Sequence, residues 1–104
     1  MMLVTCDTIK DKEIVQTLGL VRGNTVRARN MGRDILAGLK NLIGGEIEEY
    51  TKLMAEAREQ ALDRMMAEAK ALGANAVISV RFSTSEIMSA ASEILAHGTA
   101  VIVE

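Results

Sequence analysis

The longest periodic segment of the chain lies in its centre and predicts a single long helix. Apolar side chains recur on one side at close to the 3.6-residue helical period, and charged side chains lie opposite. Three glutamates beginning with Glu46 stand in the first turn, where carboxylates favour the positive end of the helix dipole. Gly73 marks the end, because glycine tolerates the left-handed conformation there. We predict a helix over 46–72 whose apolar stripe is Ile47, Tyr50, Met54, Ala57, Ala61, Met65, Ala69 and Leu72.

A helix of this length limits how 104 residues can fold. It would measure roughly 40 Å, whereas a compact domain of this size, treated as a sphere, is about 34 Å across. The helix should therefore extend beyond the globule of one subunit, with its apolar stripe continuing to Leu72. Exposed apolar surface of this kind usually marks an interface, so we predict a homo-oligomer. A monomer with a bent helix and a covered sheet edge is the alternative.

The segment before the long helix predicts strands and one shorter helix. A short strand is expected over 3–6, and the β-branched segment 13–29 predicts either a strand pair or one bent strand. Gly19 and Gly23 mark bulges or a turn within it. A helical spacing of apolar residues begins at Asp34 and stops at Gly44.

The segment after the long helix predicts two more strands. Alternation over 76–83 places Ala76, Ile78, Val80 and Phe82 on one apolar face. Loops are expected at 84–85 and 89–92, followed by a closing strand over 93–104. Its apolar run 101–103 suggests burial on both faces. If this closing strand lies at the edge of the sheet, its unpaired backbone groups would pair with a strand of a second chain. The order predicts one α+β domain over 1–104: a largely antiparallel sheet with one short and one long helix on one side.

Composition narrows the function classes. Aromatic residues make up 2% of the chain, and seven methionines and many alanines must fill the core instead. The net charge of −2 gives no general attraction to nucleic acid. No apolar stretch is long enough to span a bilayer. The single cysteine excludes an internal disulfide framework and suits a reducing cytoplasm.

Several short runs carry a family resemblance. They are Asp34, NLIGGEI at 41–47, EY at 49–50, AREQA at 57–61, Met65, GANAV at 73–77 and GTAV at 98–101. In this order, over almost the whole chain, they resemble the YbjQ-like family, which is catalogued under a heavy-metal-binding label. The resemblance implies a dodecin-type α+β subunit assembled as a ring-like homopentamer, and it implies no established biochemical role. His97 departs from the family pattern, which usually has an aromatic residue before Gly-Thr-Ala-Val.

A metal site would have to use Cys6 and His97, the chain's only cysteine and histidine. Zinc and soft metals need several such donors at one point. The strands carrying the two residues could be neighbours, methionine thioethers could add donors, and a ring could repeat one ligand around its axis. A free cysteine is more often a small hydrophobic residue. We therefore predict no cofactor, with a soft or transition-metal site as the alternative.

Catalytic motifs are lacking. The sequence contains no G-x-S-x-G, H-E-x-x-H, phosphate-binding P-loop or G-x-G-x-x-G motif. A Cys6 nucleophile with His97 as base is nonspecific. We predict a non-catalytic cytoplasmic homo-oligomer with a binding or scaffold role. A heavy-metal-binding protein is the alternative, and an enzyme with a site between subunits is a weaker one.

Arg58 is the charged residue singled out by the helical wheel. It lies about 20° from Ile47 and therefore within the apolar stripe. An arginine buried there or at an interface needs a carboxylate partner, for which Asp34, Glu46 or Glu68, within or between subunits, are candidates, or it binds an anionic ligand. Together with Tyr50 on the same stripe, Arg58, Asp34 and Glu46 are the structural or ligand candidates.

Four arginines cluster in the first half of the chain. Charged residues at a sheet edge commonly prevent the edge from pairing with another chain, and we interpret these arginines as residues of a solvated edge. Without aromatic side chains nearby, binding of single-stranded nucleic acid is not expected. The four are Arg22, Arg27, Arg29 and Arg33.

Overall fold

A computed structural model describes residues 1–28, 45–88 and 91–104. In these ranges the elements are β1 (Met2–Leu3), β2 (Ile14–Ala28), α1 (Gly45–Ala71), β3 (Ala76–Met88) and β4 (Ala91–Val103). The strands form one sheet in the order β1-β3-β4-β2. Central β4 pairs antiparallel with both of its neighbours, whereas β1 runs parallel to β3. The α+β class is confirmed and the sheet is mixed. The short helix expected from Asp34 lies outside the described residues.

The long helix α1 agrees with the prediction to within one residue at each end. Gly73, with φ of 89°, ends it. The Gly73 N–H donates to the Lys70 carbonyl at 3.0 Å, and the Ala74 N–H donates to the Ala69 carbonyl at 3.1 Å. This pair of bonds is the Schellman motif, which satisfies carbonyls left without partners at a helix end. No described helix has the length and the hydropathy needed to cross a membrane.

The main core lies between α1 and one face of the sheet. Four stripe residues of α1 are fully buried there, namely Ala57, Ala61, Met65 and Ala69. Their sheet partners are Val21, Val77, Val80, Ile94, Ala96 and Ala100. Because most of these side chains are small, the helix and the strands approach closely. Leu72, at the end of the predicted stripe, is 47% exposed.

Gly23 is the point of closest approach between β2 and α1. A Cβ atom there would overlap the backbone carbonyl oxygen of Ala61 and the backbone nitrogen of Met65. Beside it, the buried Thr25 Oγ1 donates to the Ala57 carbonyl at 3.1 Å. Gly23 is therefore neither a bulge nor a turn, and 14–28 is one continuous strand.

Bulges interrupt the ladders elsewhere. The pairing of β2 with β4 shifts between Thr17 and Gly19, and Gly19 has φ of 125°. A bulge at Gly19 is therefore confirmed. A second shift lies in β3 around Ser79, whose φ is 54°.

The bulge at Ser79 overturns the prediction of one apolar face for β3. Because it inserts a residue into the alternation, Ala76 and Ile78 point away from α1, whereas Val80 joins the core beneath α1. Phe82 pairs with Ala96 on the α1 side of the sheet but is 45% exposed.

A second, smaller core covers one end of the opposite sheet face. Val4, Ile9 and Ile14 pack there against a buried group consisting of Ala76, Ile78, Val101 and Val103. Ala100 belongs to the first core and Val101 to the second, so the closing strand is buried on both faces as predicted.

The closing strand nevertheless occupies a different place from the one expected. It is the central strand β4 and not an exposed edge, because β2 and β3 flank it. Residues 84–85 and 91–92, expected as loops, belong to β3 and β4.

The sheet is long as well as the helix. The 15 residues of β2 span roughly 50 Å, and Gly23 of β2 lies against Ala61 and Met65 of α1. The Cα atoms extend over 54 × 24 × 17 Å, with a radius of gyration of 16.9 Å. A compact domain of this length would have a radius of gyration of about 13 Å. The subunit is therefore elongated as a whole, and the overhang of α1 stays a prediction.

Replacing Gly23 with alanine tests the close approach of helix and strand. Gly23→Ala should lower the free energy of unfolding by about 1–3 kcal/mol, because the added methyl group forces α1 away from β2. Urea unfolding followed by circular dichroism measures the change. Exposed Ser83→Ala is the control and should stay within about 0.5 kcal/mol of the wild type. A Gly23→Ala protein as stable as the wild type would contradict the helix position.

Candidate functional site

Cys6 and His97 are separated by a strand. Cys6 is exposed, its Sγ donates to the Thr8 carbonyl at 3.1 Å, and its own carbonyl accepts the Ser79 N–H of β3 at 2.9 Å. His97 lies on β4, on the other side of β3. Two strand spacings place the Cys6 and His97 backbones roughly 10 Å apart. The expectation that they occupy neighbouring strands is wrong.

This separation bears on the metal alternative. A single ion holds thiolate and imidazole donors at about 2.0–2.3 Å, and the short cysteine and histidine side chains do not both reach one ion from backbones two strand spacings apart. Among the residues that the structure describes, no three histidine, cysteine, aspartate or glutamate side chains group together for a metal ion.

The other candidates do not meet at one point. Asp34 lies outside the described ranges, and Glu46 and Tyr50 occupy the first two turns of α1. Arg58 is exposed, although it lies seven residues before buried Met65 on the same side of α1. A long arginine side chain reaches solvent from such a position. Arg58 is therefore not buried within one chain, and its ion pair across a subunit interface stays a prediction.

Glu68 is not the partner of Arg58 within one helix. Ten residues separate the two along α1, a rise of about 15 Å. Both side chains are exposed.

The register of the sheet assembles a different group, which we call the arginine–histidine row. Arg22 of β2 and Arg81 of β3 both pair directly with His97 of β4. The adjacent residues Val21 and Ala96 are buried beneath α1, so the row lies on the opposite face of the sheet. Arg22 and Arg81 are exposed and His97 is half-buried.

Arg81 is held in place by backbone oxygens. Its Nη1 donates to the Val80 carbonyl at 2.9 Å and also to the carbonyl of Thr5 in the segment that follows β1. The Arg22 side chain has no hydrogen bond or ion pair to any residue in the described parts of the chain. Because Thr5 lies on the side of β3 away from β4, the Arg81 guanidinium is directed away from His97.

A surface depression of about 330 Å³ adjoins the row at Arg22. Its other lining residues are Asn24, Glu68, Glu93 and Leu95. The Asn24 amide nitrogen donates to Glu93 Oε2 at 3.2 Å, and Arg64 of α1 donates to the Asn24 carbonyl. The depression thus places two carboxylates and an amide beside the Arg22 guanidinium.

Sequence reasoning missed the row because its members are far apart along the chain. The sequence pattern predicts a sheet edge for Arg22 and marks His97 only as a departure from a family pattern. Only the pairing register of two ladders brings them together with Arg81. No local spacing in the sequence signals that register.

Comparison with known proteins places the chain in a family. A family model described as "Putative heavy-metal-binding", named YbjQ_1, matches residues 1–104. The chain belongs to the YbjQ-like family. A UPF0145 protein of Halorubrum lacusprofundi is 63% identical over 101 residues, covering 97% of each chain. Another from Dehalococcoides mccartyi is 58% identical over the full length of both chains.

A solved structure supports the fold of this YbjQ-like chain. It is the crystal structure of a protein of unknown function from Pediococcus pentosaceus that belongs to the DUF74 family. The TM-score is 0.66, and the match covers 100% of this chain and 98% of the other. Sequence identity is 15%, so the likeness concerns the fold alone.

Elemental analysis tests the heavy-metal alternative. Untagged YbjQ-like protein, purified and then incubated with zinc or copper(I) and desalted, should retain less than one equivalent of metal per chain. Cys6→Ser should leave that amount unchanged, because Cys6 and His97 do not converge. One tightly held equivalent that disappears in Cys6→Ser would contradict this reading.

Proposed function

We propose that this YbjQ-like protein is a non-catalytic homo-oligomer, a ring of five subunits, with a binding or scaffold role in the cytoplasm. The observation that carries the proposal is an elongated subunit with uncovered apolar surface. The family resemblance supports five copies, and the single exposed thiol of Cys6 suits a reducing compartment. The separation of Cys6 from His97 by β3 supports the absence of a thiol–imidazole catalytic pair.

The surface area of one chain supports assembly. Its solvent-accessible surface is 6850 Å², whereas a compact monomer of this mass exposes roughly 5,700 Å². The excess of about 1,100 Å² is of the size that one partner buries in a standard protein interface, ~800 Å². Association of several copies would restore the ratio of surface to mass of a compact protein.

The strip of β3 beside α1 is the proposed contact surface. Helix α1 packs mainly on β2, less on β4 and little on β3. Val80 is nevertheless buried, whereas Phe82, two residues further along the same side, is 45% exposed. Phe82 is the larger side chain, and aromatic residues contribute strongly to interfaces.

The open strand edges are the second proposed contact. Within the described residues, β1 and the segment after it bond to β3 only as far as Val80, and the outer edge of β2 has no partner strand. Unpaired strand edges carry free N–H and C=O groups that bond readily to another chain. Addition of a strand from a second copy would satisfy these groups.

Introducing a charge at Phe82 tests the contact surface. Phe82→Glu should shift the mass measured by analytical ultracentrifugation from the oligomer toward the 11.2 kDa chain, because a buried carboxylate without a partner disfavours the interface. Thr8→Glu is the control: it adds the same charge at an exposed residue of the N-terminal segment, outside both proposed contacts, and should leave the mass unchanged.

The folding of the variant is checked separately. Circular dichroism should show unchanged helix and strand content in Phe82→Glu, because Phe82 is already 45% exposed. A folded Phe82→Glu protein with the mass of the wild-type oligomer would place the interface elsewhere. Equal dissociation in both variants would show a nonspecific effect of charge and would also contradict the proposal.

A further inference from the structure

We propose that Arg81 of one copy enters the depression of a neighbouring copy and forms ion pairs with Glu68 and Glu93 there. The inference rests on the homo-oligomer proposed above and names a charged contact that joins its copies. The occupant of the depression is therefore a second copy of this chain, which contributes one guanidinium group.

The depression lies at an open edge of the sheet. Within the described ranges, β2 is an outer strand and pairs with β4 alone. Arg22 and Asn24 of this strand line the depression, and Glu68 reaches it from α1. Because no strand lies beyond β2 in the described parts, a second chain has access to the depression from that side.

The charges inside the depression are not balanced. Its lining holds two carboxylates, those of Glu68 and Glu93, and one guanidinium group, that of Arg22. Glu93 accepts a hydrogen bond from the Asn24 amide at 3.2 Å. The Glu68 side chain has no hydrogen bond or ion pair to any described residue. One further cation would balance the two carboxylates, and opposite charges attract more strongly where an interface excludes water.

Arg81 presents a cation at the opposite edge of the sheet. The segment that begins with β1 bonds to β3 as far as Val80, so Arg81 is the first residue of the open part of that edge. The bonds from its Nη1 to the carbonyls of Thr5 and Val80 hold the guanidinium group on the outer side of β3. A guanidinium group carries more N–H donors than these bonds use, so the others are available to a second chain.

The depression and Arg81 lie at the same height along the strands. Arg22 pairs with His97, and His97 pairs with Arg81, so one row of the sheet runs from the depression to the far edge. In a head-to-tail ring, the β3 edge of each copy meets the β2 edge of the next. Rotation about an axis parallel to the strands keeps this row level. Arg81 then arrives beside Glu68 and Glu93 of the next copy without a shift along the strands.

Opposite charges on opposite edges favour a ring over a two-fold dimer. A two-fold axis through this row would bring each edge against itself, with Arg81 against Arg81 or one depression against another. Both arrangements place like charges together, which disfavours association. Head-to-tail contact instead pairs a guanidinium group with carboxylates, whose planar geometry matches its parallel N–H donors.

Charge reversal on each side tests the contact. Arg81→Glu and Glu68→Arg, each alone, should raise the dissociation constant of the oligomer by at least about tenfold, because each places like charges together. The double variant Arg81→Glu/Glu68→Arg restores opposite charges and should recover the wild-type mass in analytical ultracentrifugation.

Arg81→Glu combined with Asp63→Arg is the matched control. Asp63 is an exposed acid of α1 that lies between buried Ala61 and Met65 in sequence and therefore on the outer side of the helix. Its reversal gives the same net charge away from the depression, so this double variant should remain dissociated. Recovery of the mass with Asp63→Arg, or no recovery with Glu68→Arg, would overturn the proposal.

Circular dichroism checks the folding of the variants, since Arg81→Glu also removes the bond to Thr5. Glu68→Arg removes no hydrogen bond or ion pair between side chains of the described residues and should keep the wild-type spectrum. A folded Glu68→Arg protein with the wild-type mass would overturn the charged contact and leave the oligomer standing. A wild-type protein that sediments at 11.2 kDa would overturn both.

Discussion

The contact between α1 and β2 at Gly23 is the constraint on which the rest of the structure depends. The helix backbone at Ala61 and Met65 lies so near the strand that only glycine fits. Alanines on α1 allow the same approach along the helix, and Thr25 bonds directly to its backbone. A chain with almost no aromatic side chains thus forms its core through close backbone approach, because it lacks large rings to fill a wider gap.

This mode of packing determines what remains uncovered. One narrow helix covers β2 and part of β4, while the N-terminal segment covers one end of the other face. The rest of β3 near Phe82 and the middle of the opposite face remain exposed. The first region is apolar and suits another protein chain, whereas the second carries the polar side chains of Arg22, His97 and Arg81.

Local patterns in the sequence predicted the elements well and their arrangement poorly. The stripe from Met54 to Ala69 and the stop at Gly73 defined α1, because helical periodicity and capping are local properties. The bulge at Ser79 places the residues before it and after it on opposite faces of β3 from those predicted by simple alternation. The sequence near Ser79 contains no signal that predicts this bulge. The position of β4 depends on which strands pair, so the expectation of an exposed closing edge was wrong. The helical wheel placed Arg58 correctly, but a long side chain still reaches solvent from there.

If one chain is an incomplete unit, identical copies must cover its exposed strip and strand edges. Native mass spectrometry of the untagged wild-type protein at micromolar concentration measures this assembly. We expect a dominant species of about 56 kDa, five times the 11.2 kDa chain. A dominant species at 11.2 kDa under the same conditions would contradict it.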